Sequence, residues 1–281
     1  MNNLNKKINL LKEYFGKNQD ILMAFIFGSY SKGNETSESD FDIAVYYSSK
    51  NKNIEWEEEN EYYNEDKIWT DIEEITGINT DLVVLNRAPS NLALSIIQEG
   101  IPIIIKDHSY YLRFFLCISS AAEDFRDFIN DYWIIKQRSK SISEIDRIRL
   151  IKIIEFLNAE LNDYGLFRNT TYDEYHADAY KRRNIERWVE NIVNSSIDAA
   201  KILLASEGKK IPETYRLVLN NLSELDSFDT VIAKKLSKNA KLRNILAHEY
   251  LDIRFKHIVD FLYETDKIYL YLVEYTQKRI Q

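Results

Sequence analysis

The chain has 281 residues, of which only 7 are glycine and 3 are proline. Average usage of roughly 7% glycine predicts about 20 glycines, so collagen-like, linker-like and proline-rich disordered classes are excluded and long helices are favoured. The net charge of −8 is uneven, with −9 on residues 1–139 and +1 on residues 140–281, which indicates two modules with different surfaces.

The first half of the chain alternates helical periodicity with short apolar runs typical of buried strands. Helices are predicted at residues 4–15, 54–76 and 91–99, and strands at residues 21–27, 41–47, 81–85 and 101–105. Four short strands separated by helices and loops predict a small mixed β-sheet with flanking helices.

The second half shows helical periodicity and no strand pattern. Helices are predicted at residues 108–137, 144–163, 175–207, 213–223, 228–247 and 255–279. The overall fold class is therefore predicted as α+β, with one domain over residues 1–139 and an all-α helical bundle over residues 140–281.

Neither a membrane protein nor a disulfide-rich secreted protein fits this composition. No run of about 18 uncharged apolar residues is present, and the N-terminus lacks the apolar core of a signal peptide. The single cysteine, Cys117, lies in an apolar run, which excludes an intrachain disulfide framework and a cysteine-rich zinc site. We expect a cytoplasmic protein with no membrane partner.

A glycine–serine pair and two aspartates follow the first two predicted strands. Gly28 and Ser29 end the first strand, and Asp40 and Asp42 open the second. Side chains two residues apart on a strand share a face, so the two carboxylates project together and favour Mg²⁺, which also takes phosphate oxygens. Gly28 permits close backbone approach to a phosphate, and Asp81, at the start of a later strand, is a candidate third carboxylate. A nucleoside triphosphate site is the resulting hypothesis.

The stretch from Phe27 to Gly33, followed by residues 39–42, resembles the signature of the nucleotidyltransferase superfamily, in its minimal (MNT) branch. The resemblance covers about residues 5–107. It implies ATP and Mg²⁺ as cofactors and the transfer of AMP to a hydroxyl group. By the same resemblance, the metal-binding acids are Asp40, Asp42 and Asp81, and the nucleotide-binding positions are Gly28, Ser29, Lys32 and Gly33.

A second group of polar residues lies late in the helical half, at Arg243, Asn244, His248 and Tyr250. Histidine titrates near neutral pH and arginine matches phosphate geometry, so such a pair can cleave RNA without a metal. Five residues correspond to about 140° around an ideal helix, so Arg243 and His248 are expected to meet across a helix break or a cleft. Four nearby lysines provide positive charge that can bind the RNA backbone: Lys234, Lys235, Lys238 and Lys241.

This segment resembles the HEPN superfamily in its HepT-like branch, over roughly residues 144–275, with further matches at residues 183–187 and 208–216. The resemblance implies an RNase that cuts tRNA or mRNA with Arg243 and His248. It also implies a homodimer formed through the HEPN domains. Its usual genetic neighbour is an MNT antitoxin that attaches AMP to the tyrosine of the motif, here Tyr250.

The two halves together predict a toxin–antitoxin fusion in which the MNT domain adenylylates Tyr250 and silences the RNase. Two alternatives stay open. The first is an aminoglycoside-type nucleotidyltransferase with a helical substrate-binding domain, which the acidic first half would suit. The second is a catalytically inactive binding module.

Overall fold

The structure is a computed structural model that describes residues 2–36, 38–49, 54–248 and 255–280. The chain forms two compact units, residues 1–125 and 126–281. The division falls inside one long helix, whereas the boundary predicted from the sequence, between residues 139 and 140, follows the end of that helix. No helix in the described ranges is long and apolar enough to cross a membrane.

The first unit is built on a four-stranded sheet. Its strands are β1 (Ile21–Ile26), β2 (Phe41–Tyr47), β3 (Thr80–Val84) and β4 (Ile101–Ile105). Its helices are α1 (Asn2–Lys17), α2 (Gly28–Lys32), α3 (Glu65–Thr76), α4 (Ser90–Glu99) and the first part of α5 (His108–Arg138). The strand order is β3-β2-β1-β4, with β2 and β3 parallel and the other two pairs antiparallel, so the predicted small mixed sheet is confirmed.

The sheet is apolar on both faces, which explains why its strands read as nearly continuous apolar runs. On β1, Met23 and Phe25 join a core cluster with α4 and α5, while Ala24 and Ile26 join the cluster on the opposite face with α1 and α3. This two-sided core holds the carboxyl end of β1 and the start of β2, where the predicted nucleotide site lies.

The second unit is helical throughout its described residues. After α5 come α6 (Glu144–Asn162), α7 (Tyr164–Phe167), α8 (Tyr172–Ala177), α9 (Ala179–Ser206), α10 (Tyr215–Asn220), a short 3-10 helix (Asn221–Glu224), α11 (Thr230–His248) and α12 (Phe255–Ile280). The predicted α+β class, with a helical second half, is confirmed.

The helix predicted over residues 54–76 was too long, because α3 begins only at Glu65. In the preceding segment, the buried side chains of Ile54 and Trp56 join the core on the α4 face of the sheet. The backbone N–H of Glu55 donates to the Tyr46 hydroxyl at 2.7 Å, and that hydroxyl donates back to the Glu55 carbonyl at 3.1 Å. These tertiary contacts replace helical hydrogen bonds.

The single helix predicted over residues 175–207 was also wrong, because the structure has two helices there, α8 and α9, separated at Asp178. The Asp178 carboxylate accepts hydrogen bonds from the backbone N–H groups of Tyr180 and Lys181, at 2.9 and 3.1 Å. Aspartate is a preferred N-cap because its oxygen satisfies N–H groups that the first helical turn leaves unpaired.

Candidate active sites

Gly28 and Asp42 approach each other closely where β1 ends and β2 begins. Gly28 opens α2 with φ of +67°, and a Cβ built on it would lie 1.9 Å from Oδ2 of Asp42. No side chain fits there, so the glycine is required by both its backbone conformation and its contact. The sequence argument assigned Gly28 to close approach of a phosphate. In the structure the group that approaches it is the Asp42 carboxylate.

The three predicted metal-binding acids lie near one another. Strands β2 and β3 run parallel in a register that pairs Asp42 with Asp81, so the two side chains share a face of the sheet. Asp40 comes immediately before β2 and, like Asp81, is exposed, whereas Asp42 is half-buried. Parallel pairing of β2 with β3 therefore brings together acids that are 39 residues apart in the sequence.

The electrostatics of this cluster centre on Asp42. Burial raises the pKa of the Asp42 carboxyl, and the charges of Asp81 and Asp40 raise it further. The backbone N–H of Ser29 donates to the Asp42 carboxylate and opposes part of this rise. Repulsion among the three carboxylates would be relieved by a bound cation.

Mg²⁺ fits the chemistry of these donors. Among the described residues, no three or more His, Cys, Asp or Glu side chains are placed so as to enclose a metal ion. Mg²⁺, however, is usually held by one or two carboxylates and completes its shell with substrate phosphates and water. Asp42 and its neighbours can therefore supply the protein ligands, and the nucleotide would supply the others.

The remaining predicted nucleotide-binding residues lie on α2. Lys32 is at its last turn, and its Nζ is 2.8 Å from Oε2 of Glu99, with both side chains about half exposed. Gly33 follows as the C-cap. The sequence reasoning missed Glu99, since nothing in its local pattern indicates that the end of α4 lies beside α2.

Arg243, the predicted catalytic arginine, is half-buried on α11. Its guanidinium carbon lies 4.0 Å from the centre of the Tyr215 ring, and its Nη1 atom is buried. Helix α11 continues to His248, so no helix break separates Arg243 from His248, and of the two expected arrangements the meeting across a cleft stays open. The side chain of His248 and all of Tyr250 lie outside the described residues, so the predicted pairing of Arg243 with His248 stays a prediction.

A cleft of about 460 Å³ lies between α11 and α12, beside the helical turn that carries Arg243. Its lining includes three of the four lysines noted in the sequence, together with polar and aromatic residues: Lys235, Lys238, Lys241, Asn239, His257, Asp260, Phe261 and Tyr263. His257, on α12, belongs to neither of the motifs found in the sequence. Its place in the cleft depends on how α12 packs on α11, which a single-residue pattern does not reveal.

Comparison with protein families matches both halves of the chain. The family model described as "Polymerase beta, Nucleotidyltransferase" matches residues 9–109. The model described as "Ribonuclease HepT-like" matches residues 118–268, which is just over half of the chain. The chain belongs to the HepT-like ribonuclease family. It joins a nucleotidyltransferase domain of the polymerase-β type to a HepT-like domain, as the sequence motifs predicted.

The HepT-like chain also resembles a solved structure described as "Crystal structure of the toxin-antitoxin with AMP-PNP". The identity is 22% and the TM-score is 0.35, and the match covers 47% of this chain and 98% of the other. No curated protein matches the chain.

Proposed function

We propose that this chain is a self-contained toxin–antitoxin fusion. Its nucleotidyltransferase domain transfers AMP from ATP to Tyr250, and the unmodified HepT-like domain cleaves RNA. The observation that carries the transferase half is the placement of Asp42 against Gly28 and beside Asp81. The presence of both domains in one chain supports their functional coupling.

In the proposed transfer, the Tyr250 oxygen attacks the α-phosphorus of ATP and forms the new oxygen–phosphorus bond. The bond from that phosphorus to the pyrophosphate oxygen breaks, and pyrophosphate leaves. Asp40 and Asp42 would hold Mg²⁺, which neutralises phosphate charge when it is bound. Exposed Asp81, paired in register with Asp42, would complete the metal-binding acids and accept the phenol proton on its carboxylate.

In the proposed cleavage, His248 takes the proton of an RNA 2′-hydroxyl, and that oxygen attacks the adjacent phosphorus. The bond to the 5′-oxygen of the next nucleotide breaks, that oxygen takes a proton from water, and a 2′,3′-cyclic phosphate remains, while Arg243 stabilises the charge that develops. The lysines of the cleft between α11 and α12 hold the RNA backbone. AMP on Tyr250, two residues from His248, adds negative charge and bulk that repel RNA.

The transferase half is tested by incubating the protein with Mg²⁺ and ATP and mapping AMP by mass spectrometry. We expect AMP on the Tyr250 peptide, none in Asp42→Ala, and none at this site in Tyr250→Phe. Tyr180→Phe, which alters an exposed tyrosine on α9, is the matched control and should be labelled like the wild type. AMP found only elsewhere, or undiminished in Asp42→Ala, would refute the proposal.

The nuclease half is tested with the unmodified Asp42→Ala protein. We expect it to cleave RNA and to slow growth, and a further His248→Ala change should reverse both effects. In that double variant, Lys238→Ala should weaken RNA binding and reduce its salt dependence, whereas Lys267→Ala, an exposed lysine on α12 outside the cleft lining, should not. If no RNA is cut by unmodified protein, the nuclease assignment is wrong.

A further inference from the structure

The guanidinium group of Arg243 lies over an aromatic ring. Its guanidinium carbon lies 4.0 Å from the centre of the Tyr215 ring, whereas Arg279 lies 5.3 Å from the centre of the Tyr275 ring. Stacking uses the face of the guanidinium plane, whereas phosphate recognition uses the N–H groups at its edge. A ring against Arg243 therefore restricts where the guanidinium group can lie.

Tyr215 is itself held in place. It is 5% exposed, and it opens α10 directly after Thr214, whose side chain accepts the backbone N–H of Leu217 as an N-cap. Its ring meets that of Phe128 on α5 edge to face, with 5.3 Å between ring centres.

Phe128 has a further contact with another neighbour: the ammonium group of buried Lys201 on α9 lies 5.1 Å from the centre of the Phe128 ring. Three helices thus fix the position of the ring against which Arg243 lies.

We infer that Tyr215 is the positioning residue for Arg243 in RNA cleavage. The inference rests on the proposed nuclease function and goes beyond it, since Tyr215 has no role in the Arg243–His248 motif. The ring and the burial of Nη1 hold the guanidinium in place, so that its other N–H groups meet the phosphate as negative charge develops. Loss of the aromatic face should lower the rate of the chemical step and leave RNA binding largely unchanged, because the cleft lysines are untouched.

The experiment measures RNA cleavage in the Asp42→Ala background, where Tyr250 carries no AMP. Tyr215→Phe keeps the aromatic face, and we expect kcat to stay within about twofold of the parent. Tyr215→Leu fills much of the space but has no aromatic face, and we expect kcat to fall about tenfold or more while KM changes less than about twofold.

The matched control is Tyr275→Leu. Tyr275 is also a buried tyrosine of the second unit with an arginine over its ring, Arg279 at 5.3 Å, but that arginine lies outside the motif. Tyr275→Leu should lose comparable thermal stability and retain cleavage within about twofold. NMR of the arginine Nε–H group gives a second readout, in which ring-current shift at Arg243 should persist in Tyr215→Phe and disappear in Tyr215→Leu.

The possible failures are distinguishable. A parent that cuts no RNA refutes the nuclease function and, with it, the role of Tyr215. A parent that cuts RNA, together with Tyr215→Leu that cuts it equally fast, overturns only the positioning role. If kcat for RNA cleavage fell equally in Tyr215→Leu and Tyr275→Leu, Tyr215 would contribute only to the packing of the core.

Discussion

At Gly28 the backbone and the Asp42 carboxylate leave no space for a methyl group. Gly28→Ala would place Cβ 1.9 Å from Oδ2 of Asp42 at a φ of +67°. We expect it to abolish AMP transfer and to lower the free energy of unfolding by about 2 kcal/mol or more, because strain and displacement of Asp42 add. Thermal unfolding and labelling with radioactive ATP measure the two effects.

Gly77→Ala is the control for backbone strain alone. Gly77 has φ of +65° with nothing within 4 Å of a built Cβ, so the substitution should cost about 1 kcal/mol and leave AMP transfer intact. If Gly28→Ala behaved like Gly77→Ala in both assays, the contact with Asp42 would have no functional importance.

The charged Asp42 carboxylate is predicted to lower the free energy of unfolding, because burial and the neighbouring acids disfavour its charge. Because its pKa is raised in the folded protein, the folded state binds a proton more readily than the unfolded chain. The associated stability is therefore present below the ordinary pKa of 3.8 and is lost as the pH rises through the folded value. Asp42→Asn keeps a side-chain oxygen for the Ser29 N–H and removes the charge.

We expect Asp42→Asn to unfold at a higher temperature than the wild type at pH 7, with the gain disappearing as the pH falls below 3.8. Added Mg²⁺ should stabilise the wild type more than the variant. A variant that is less stable than the wild type at pH 7 would show that the carboxylates do not repel each other in the folded state.

Some residues of the two candidate sites could be predicted from the sequence, and others could not. Strand alternation and the Gly-Ser motif predict Gly28, Asp40 and Asp42 from local pattern, whereas the approach of Asp81 to Asp42 depends on the parallel pairing of β2 with β3. The ion pair of Lys32 with Glu99 and the contact of Arg243 with the Tyr215 ring join residues 67 and 28 positions apart. Such pairs depend on helix packing, which a single sequence does not encode in any short pattern.

At the scale of elements, Asp131 joins three helices of the second unit. From α5 it accepts two hydrogen bonds from Arg149 of α6, at 2.7 and 3.2 Å, and it lies 2.8 Å from the ammonium group of Lys201 on α9. Burial alone raises the pKa of Asp131, but hydrogen bonds from Arg149 and Lys201 outweigh it and lower the pKa to about 2. Its contribution to stability is thus present above pH 3.8 and lost as the pH falls through about 2.

Asp131→Asn should lower the free energy of unfolding by about 2 kcal/mol at pH 7, because it leaves the buried Lys201 ammonium with a weaker set of partners. Urea unfolding monitored by circular dichroism measures the change. Glu190→Gln removes the more exposed pair with Arg187 and should cost less than about 0.5 kcal/mol. Equal costs for the two variants would contradict the role of Asp131 in joining the helices.

Element boundaries were predictable where periodicity and caps agree. Strands β2 and β4 have the predicted bounds, because each is a nearly continuous apolar run: β2 is almost wholly buried, and the isoleucines of β4 are buried or half-buried. The segment before α3 was misjudged as helical, although Ile54 and Trp56 are only two residues apart and so cannot share one face of a helix. Both are buried against the sheet in a non-helical segment. Tertiary contacts there override local propensity.

At the scale of the whole molecule, the proposed function would give donor and acceptor domains a fixed one-to-one ratio, because both lie in a single chain. Tethering raises the effective concentration of one domain for the other to roughly millimolar when geometry permits contact. Transfer within a chain then follows first-order kinetics. We expect the rate constant for AMP incorporation at Tyr250 to stay unchanged over about a hundredfold dilution of the protein.

A mixing experiment distinguishes transfer between chains. The Asp42→Ala chain has an acceptor tyrosine and no active transferase, whereas Tyr250→Phe has the transferase and no acceptor. When the two are mixed, AMP should appear on the Asp42→Ala chain much more slowly than on wild-type protein, and at a rate that rises with concentration. Labelling as fast as that of the wild type would mean that the acceptor tyrosine is supplied by a second chain, and the fusion would then set only the stoichiometry of the two domains.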